Sequence, residues 1–158
     1  MSAGPDILDG YFGIKALAAS QTATRHGWDN TPPADVRDNM ALLVDAVLMP
    51  MRKLGIRYWI SSGYRSPQLN RAIGGAAHSL HCEGLAVDIV AHDYTPNALA
   101  RVLYAQRLPV DRLIVEYDQW LHLQIDLSSA ARRLGTRAIR RRDGVMVYTT
   151  LDLAELPA

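Results

Sequence analysis

Apolar positions recur at steps of three and four from Val36 through Met40, Leu43, Val47 and Met51 to Leu54. That spacing lays one stripe along a helix. Thr31 is a candidate cap, Pro32 suits the first helical position, and Gly55 stands just past the end, where helices commonly stop. Pro50 lacks the amide hydrogen that a helix interior needs, which predicts a kink near positions 46–50. Upstream, a short helix is expected near residues 14–19, followed by a polar loop.

Strand patterns take over afterwards. Residues 56–62 (IRYWISS) read as a strand broken by Gly63. A short helix opens at Ser66 or Pro67, runs through Ile73 and ends at Gly74 and Gly75. Residues 85–91 (LAVDIVA) form a second strand, with Leu85, Val87 and Ile89 on one face and Ala86, Asp88 and Val90 on the other. Thr95 and Pro96 open a helix with Leu99, Val102 and Leu103 inside. Residues 112–116 (RLIVE) and 120–125 (WLHLQI) pattern as a hairpin around Tyr117, Asp118 and Gln119. A last pair of short strands is expected around Asp143 and Gly144. Helices first and antiparallel strands later favour an α+β fold, with a small antiparallel sheet and flanking helices. The 158 residues carry no repeat or linker, so one domain is expected over 1–158. In it, 1–30 packs on the body and 128–158 supplies the C-terminal strands and tail.

Composition narrows the class without naming a partner. Apolar residues make up 49% of the chain, enough for a packed core, and the net charge of +1 gives no global attraction to a polyanion. Arg132, Arg133, Arg137, Arg140, Arg141 and Arg142 crowd one region. That cluster reads as a solvated face or as attraction to an anionic polymer or lipid. With no nucleic-acid motif beside it, no nucleic-acid partner is expected. The single cysteine, Cys82, excludes an intrachain disulfide. No apolar run approaches the roughly 18 residues of a transmembrane segment. The first twenty residues lack the pattern of a signal peptide, so the chain is expected to be made in the cytoplasm.

Three residues stand out as metal ligands: His81, Asp88 and His122. Asp88 lies in an apolar strand, where a carboxylate needs a cation, a hydrogen bond or exposure. His122 alternates with Leu121 and Leu123, so it shares a face with Trp120 and Gln124. If Glu116 pairs with Trp120 across the hairpin, Ile114 pairs with His122. Glu116 and His122 are then diagonal neighbours roughly 7 Å apart. That distance suits a carboxylate that takes a proton from a metal-activated water. Each residue alone has an ordinary structural reading, Asp88 as a backbone-bonded aspartate and His122 as a satisfied strand histidine; together they point to hydrolysis at a metal. Cys82 is a soft ligand in principle, but it adjoins His81 and reads as a packed thiol. Glu83 reads as a solvated turn residue. His26 and His92 are not expected to bind metal. Tyr64 is a candidate for the cleft wall, although an aromatic at a strand end is more often core.

These residues fall into three linked motifs, SGYRSPQLNRAIGG, SLHCEGLAVDI and IVEYDQWLHLQ. In order, spacing and residue type they resemble the zinc D-alanyl-D-alanine peptidase family with the Hedgehog/DD-peptidase fold, and in particular its short phage-type members. The likeness covers roughly residues 10–127. It implies one zinc ion held by His81, Asp88 and His122 with water as fourth ligand, and Glu116 as catalytic base. It also implies Arg65 at the site as a clamp or oxyanion partner, and Ser79 as a supporting or substrate-contacting hydroxyl. His78 occupies a position where the pattern needs no particular residue. The implied substrate is the peptidoglycan stem peptide, cut by a monomer either at a terminal D-alanine or internally, as endolysins do. Action on the cell wall or periplasm would follow release from the cytoplasm. A catalytically silent zinc-binding module of the same fold is the competing expectation.

Overall fold

The computed structural model describes residues 12–127, 134–140 and 142–154. Among these, the chain runs α1 (Ile14–Leu17), α2 (Gln21–His26), α3 (Ala34–Leu43), a π-helical turn (Val44–Leu48), α4 (Met49–Lys53), β1 (Tyr58–Ser62), α5 (Pro67–Ala72), a 3-10 turn (Leu80–Glu83), β2 (Ala86–Ala91), α6 (Pro96–Ala105), β3 (Arg112–Glu116), β4 (Trp120–Gln124), β5 (Leu134–Arg140) and β6 (Met146–Thr150). The architecture is α+β. The strands form a six-stranded sheet in the order β1-β2-β4-β3-β5-β6.

The expected antiparallel sheet needs one correction. β5 pairs parallel with β3, which makes the sheet mixed. Alternation along a strand reports burial on each face but not the direction of its neighbour, so this pairing left no mark in the pattern.

The sheet has two unlike faces. Val87, Ile89, Leu113, Val115, Leu121 and Leu123 are all buried in the core. They share that core with Leu99 and Leu103 of α6 and with Val36, Met40, Leu43, Val47 and Met51 of the long helical segment. Between them, the alternate residues Asp88, His122, Ile114 and Thr136 stand opposite one another across β2, β4, β3 and β5. One face therefore holds the fold together while the other carries Asp88 and His122.

Several local expectations shift. The helix opens at Ala34 after an extended Pro33, and Thr31 instead donates its N–H to Asp29 Oδ1 at 2.8 Å. The kink expected before Pro50 is a π-helical turn, which widens the backbone where proline cannot donate. The stripe reaches the core through Met51 but not through Leu54, which is exposed. The polar loop after α1 contains α2, capped by Ser20 Oγ, which accepts from Ala23 N at 3.2 Å. β1 starts at Tyr58, two residues later than the pattern suggests. β5 and β6 flank Asp143 and Gly144 as anticipated, with Gly144 in the left-handed region at φ +82°. Among the described residues, no helix is long and apolar enough to cross a membrane.

Candidate metal centre

The site is assembled from two strands and one turn. β2 supplies Asp88 and β4 supplies His122, directly opposite each other in register. The 3-10 turn supplies His81. Its start is capped by Ser79 Oγ, which accepts from His81 N at 3.3 Å, and its end is set by Gly84 at φ +73°. A side chain at Gly84 would also strike the Val36 carbonyl and Met40, so α3 rests closely against this turn. Asn39 Nδ2 fastens the contact by donating to the Glu83 carbonyl at 2.9 Å.

Each imidazole is oriented by the nitrogen that does not face the site. His81 Nδ1 lies 2.7 Å from the Gly63 carbonyl, an acceptor, so this nitrogen carries the proton and Nε2 offers a lone pair. His122 Nε2 lies 2.9 Å from Gln124 Oε1, which leaves Nδ1 as the inward-facing acceptor. Gly63, whose carbonyl orients His81, can sit against the end of α1 because it lacks a β-carbon. An added methyl would sit 2.0 Å from the Leu17 carbonyl oxygen. The segment is further tied down by Tyr64 N donating to Leu17 O at 2.7 Å and by Asn30, whose side chain bridges Ala18, Tyr64 and Ser66.

The three inward atoms form a small triangle. His122 Nδ1 lies 3.0 Å from Asp88 Oδ1, His81 Nε2 lies 3.3 Å from the same oxygen, and the two nitrogens are 3.2 Å apart. Metal bonds of about 2.0–2.1 Å in a tetrahedron imply ligand atoms about 3.3–3.4 Å apart. The triangle is close to that size, and its two imidazoles and one carboxylate are a donor set that zinc accepts. All three residues are buried, so three acceptors converge away from water. A cation satisfies all of them at once.

The electrostatics without metal reflect this crowding. Burial opposes the Asp88 charge, but hydrogen bonds with His122 and His81 outweigh it and hold the carboxyl well below the usual range. Burial pushes the His81 pKa down. Burial acts the same way on His122, yet Asp88's hydrogen bond and charge prevail and raise it. The first proton therefore goes to His122.

Arg65 braces the cluster from the side. Its guanidinium donates to Asp88 Oδ2 at 3.1 Å, Ser62 Oγ at 3.1 Å and Asn70 Oδ1 at 3.3 Å. Ser62 faces Asp88 because the pairing of β1 with β2 shifts by one residue between Ile60 and Ser62. The arginine expected on substrate thus spends hydrogen bonds on fixing the carboxylate ligand, while still lining the cleft.

Glu116 lies at the end of β3 on the same face. The register is Glu116 to Trp120 and Ile114 to His122, as the alternation requires. Burial, and next the charge of Asp88, raise the Glu116 pKa, against the pull of His122 and Arg65. Glu116, Arg65, Ser79, His81 and His122 all line one open cleft of roughly 830 Å³, and exposed His78 stands at its rim.

Other candidates are placed elsewhere. Tyr64 is 5% exposed and packs in the core rather than along this cleft, because the turn after β1 carries its ring inward. Cys82 is not one of the converging ligands, and Glu83 is exposed along the cleft wall. His26 stacks on Trp28 and His92 meets Trp59 edge-on. Arg142 is exposed, and the side chains of the other five clustered arginines lie outside the described residues. The motif reading missed Gln124, Gly63 and Asn70. Gln124 carried one available signal, since alternation placed it on the face of His122.

A search of curated proteins returns no match. A family model described as Peptidase M15 matches residues 10–124, which take in His81, Asp88, Glu116 and His122. With most of its length matched, and with the triangle that could hold a metal inside the match, the chain belongs to the peptidase M15 family.

Proposed function

We propose that this zinc-dependent peptidase hydrolyses peptide bonds in the stem peptides of peptidoglycan, with Glu116 as general base. The observation that carries the reading is the triangle of His81, Asp88 and His122, two of whose members, His81 and His122, line the same cleft as the Glu116 carboxylate. A zinc ion bound there supplies a Lewis acid and brings the pKa of water to about 7. Glu116 takes the proton of the attacking water and returns it to the leaving amine. Its raised pKa matches a group that must first accept a proton and then release it. Arg65 keeps Asp88 Oδ2 engaged so that Oδ1 faces the histidines. Ser79 holds the turn that presents His81. One ion per chain, a monomer and action on the cell wall after release, as in phage endolysins, complete the reading.

The test is mass spectrometry of purified peptidoglycan fragments after digestion, with and without a chelator. Loss of a terminal D-alanine marks a carboxypeptidase, and cuts within the stem peptide mark an endopeptidase. Glu116→Ala should bind zinc and cut nothing. A Glu116→Ala protein as active as the parent, or digestion indifferent to chelator, overturns the reading.

A further inference from the structure

The family match ends at residue 124, but the cleft does not. Met146 and Tyr148 of β6 also line it, beside Tyr117 from the β3–β4 turn. Strand pairing brings them there. Glu116 stands opposite Ala138 on β5, and Ala138 stands opposite Tyr148 on β6. Paired residues share a face, so Glu116, Ala138 and Tyr148 form a row on the face that carries Asp88 and His122. Between the two larger side chains, Ala138 contributes only a buried methyl group.

This wall is built with some care. Tyr117 adopts a left-handed backbone at φ +54°, uncommon for a residue with a β-carbon. Its N–H donates to the Ala138 carbonyl at 2.9 Å, and its hydroxyl reaches Met146 Sδ at 3.2 Å. Its ring meets Trp120 edge-on with centroids 5.0 Å apart. The β3–β4 turn is thereby locked to the β5–β6 pair. Tyr148, by contrast, is 61% exposed. An aromatic ring left in water at the rim of a cleft gains by being covered.

Strands lie about 4.8 Å apart, so two steps separate Glu116 from Tyr148 by roughly 10 Å. An extended peptide advances about 3.3 Å per residue, which makes that distance about three residues. The opposite end of the cleft is polar, with Arg112 and Asp126.

We propose that Tyr148, supported by Met146 and Tyr117, is a subsite for the apolar side of a peptide residue about three positions from the cleaved bond, so that the enzyme favours an extended peptide over a minimal one. The inference rests on the peptidase reading above and gives it a substrate length.

The test uses sugar-free stem peptides of increasing length, extended from either end. Zinc-loaded wild type, Tyr148→Ala and Tyr148→Phe are compared on each. In the wild type, kcat/KM should climb with length until about three residues lie beyond the cut on one side. In Tyr148→Ala the ratio of longest to shortest peptide should fall about tenfold, the value of covering one aromatic ring. Tyr148→Phe should keep the climb, since the ring face and not the hydroxyl makes the contact. Zinc content and circular dichroism verify that the variants are folded. Identical length profiles in wild type and Tyr148→Ala overturn the subsite and leave the peptidase standing. A zinc-loaded wild type that cuts no peptide of any length overturns both.

Discussion

His81 Nε2 and His122 Nδ1 face each other at 3.2 Å, and the second nitrogen of each ring is already engaged, one by the Gly63 carbonyl and the other by Gln124. Two neutral imidazoles held in this way present lone pair to lone pair beside a carboxylate. Only a proton or a metal ion relieves that arrangement, and the two must compete for it.

That competition sets the pH dependence of metal binding. His122 titrates above the ordinary histidine value of 6.5 because Asp88 outweighs the effect of burial. In the metal-free chain its proton adds stability that is fully present below pH 6.5 and is lost as pH rises through the folded value. Zinc affinity should do the opposite, climbing up to about tenfold per pH unit until His122 is deprotonated and then levelling. Zinc titrations against a competing chelator from pH 5.5 to 8.5 measure this. A flat profile across that range contradicts the proton on His122.

Gln124 is a positioning residue. Gln124→Leu removes the acceptor that orients His122 and should weaken zinc binding about 10–100-fold. Gln124→Glu keeps an acceptor and should retain most of the affinity. Equal affinities in all three proteins refute the role.

The two histidines near the motif should separate cleanly. His81→Ala should reduce bound zinc to background, whereas His78→Ala should bind one equivalent, since His78 is exposed and outside the triangle. Metal analysis of the purified proteins decides it, and zinc loss in His78→Ala would count against the assignment.

Glu116 carries a cost that the proposed base role explains. Its pKa is raised by burial and by Asp88, so ionising it destabilises the fold as pH rises past the ordinary value of 4.5. Glu116→Gln should therefore raise the Tm of the metal-free protein at pH 7 by a few degrees, with no such gain near pH 4, while abolishing hydrolysis. Thermal melts at both pH values supply the comparison.

Gly63 is where fold and site meet most tightly. Gly63→Ala places a methyl 2.0 Å from the Leu17 carbonyl oxygen. Relief must move α1 or withdraw the carbonyl that orients His81. The substitution should cost about 1–3 kcal/mol, as overpacked sites do, and should also lower zinc affinity. Chemical denaturation with a parallel metal titration tests both effects.

Most of the catalytic face could be read in the sequence because alternation fixes register. WLHLQ set His122 apart from Leu121 and Leu123, and the premise of a hairpin pairing Glu116 with Trp120 matches the observed register. The supports of the site were harder to see. Gly63, Asn30 and Asn70 act through backbone carbonyls and close approaches that no periodicity reports. The parallel partner of β3 and the π-helical turn depend on contacts between distant segments and on how the helix relieves Pro50. Tyr64 was ambiguous because a strand-end aromatic can turn toward either face, and here the chain carries it inward.

The two-faced sheet also governs how the site moves. Asp88 and His122 alternate with Val87, Ile89, Leu121 and Leu123, none more than 2% exposed. Their amides belong to the same ladder as the core, so they exchange with solvent only when the central strands open. The ligands cannot fray ahead of the fold. Two of the three donors are thereby held by the sheet itself, and the third, His81, is tied to it through the Gly63 carbonyl and through the contact of its turn with Asn39.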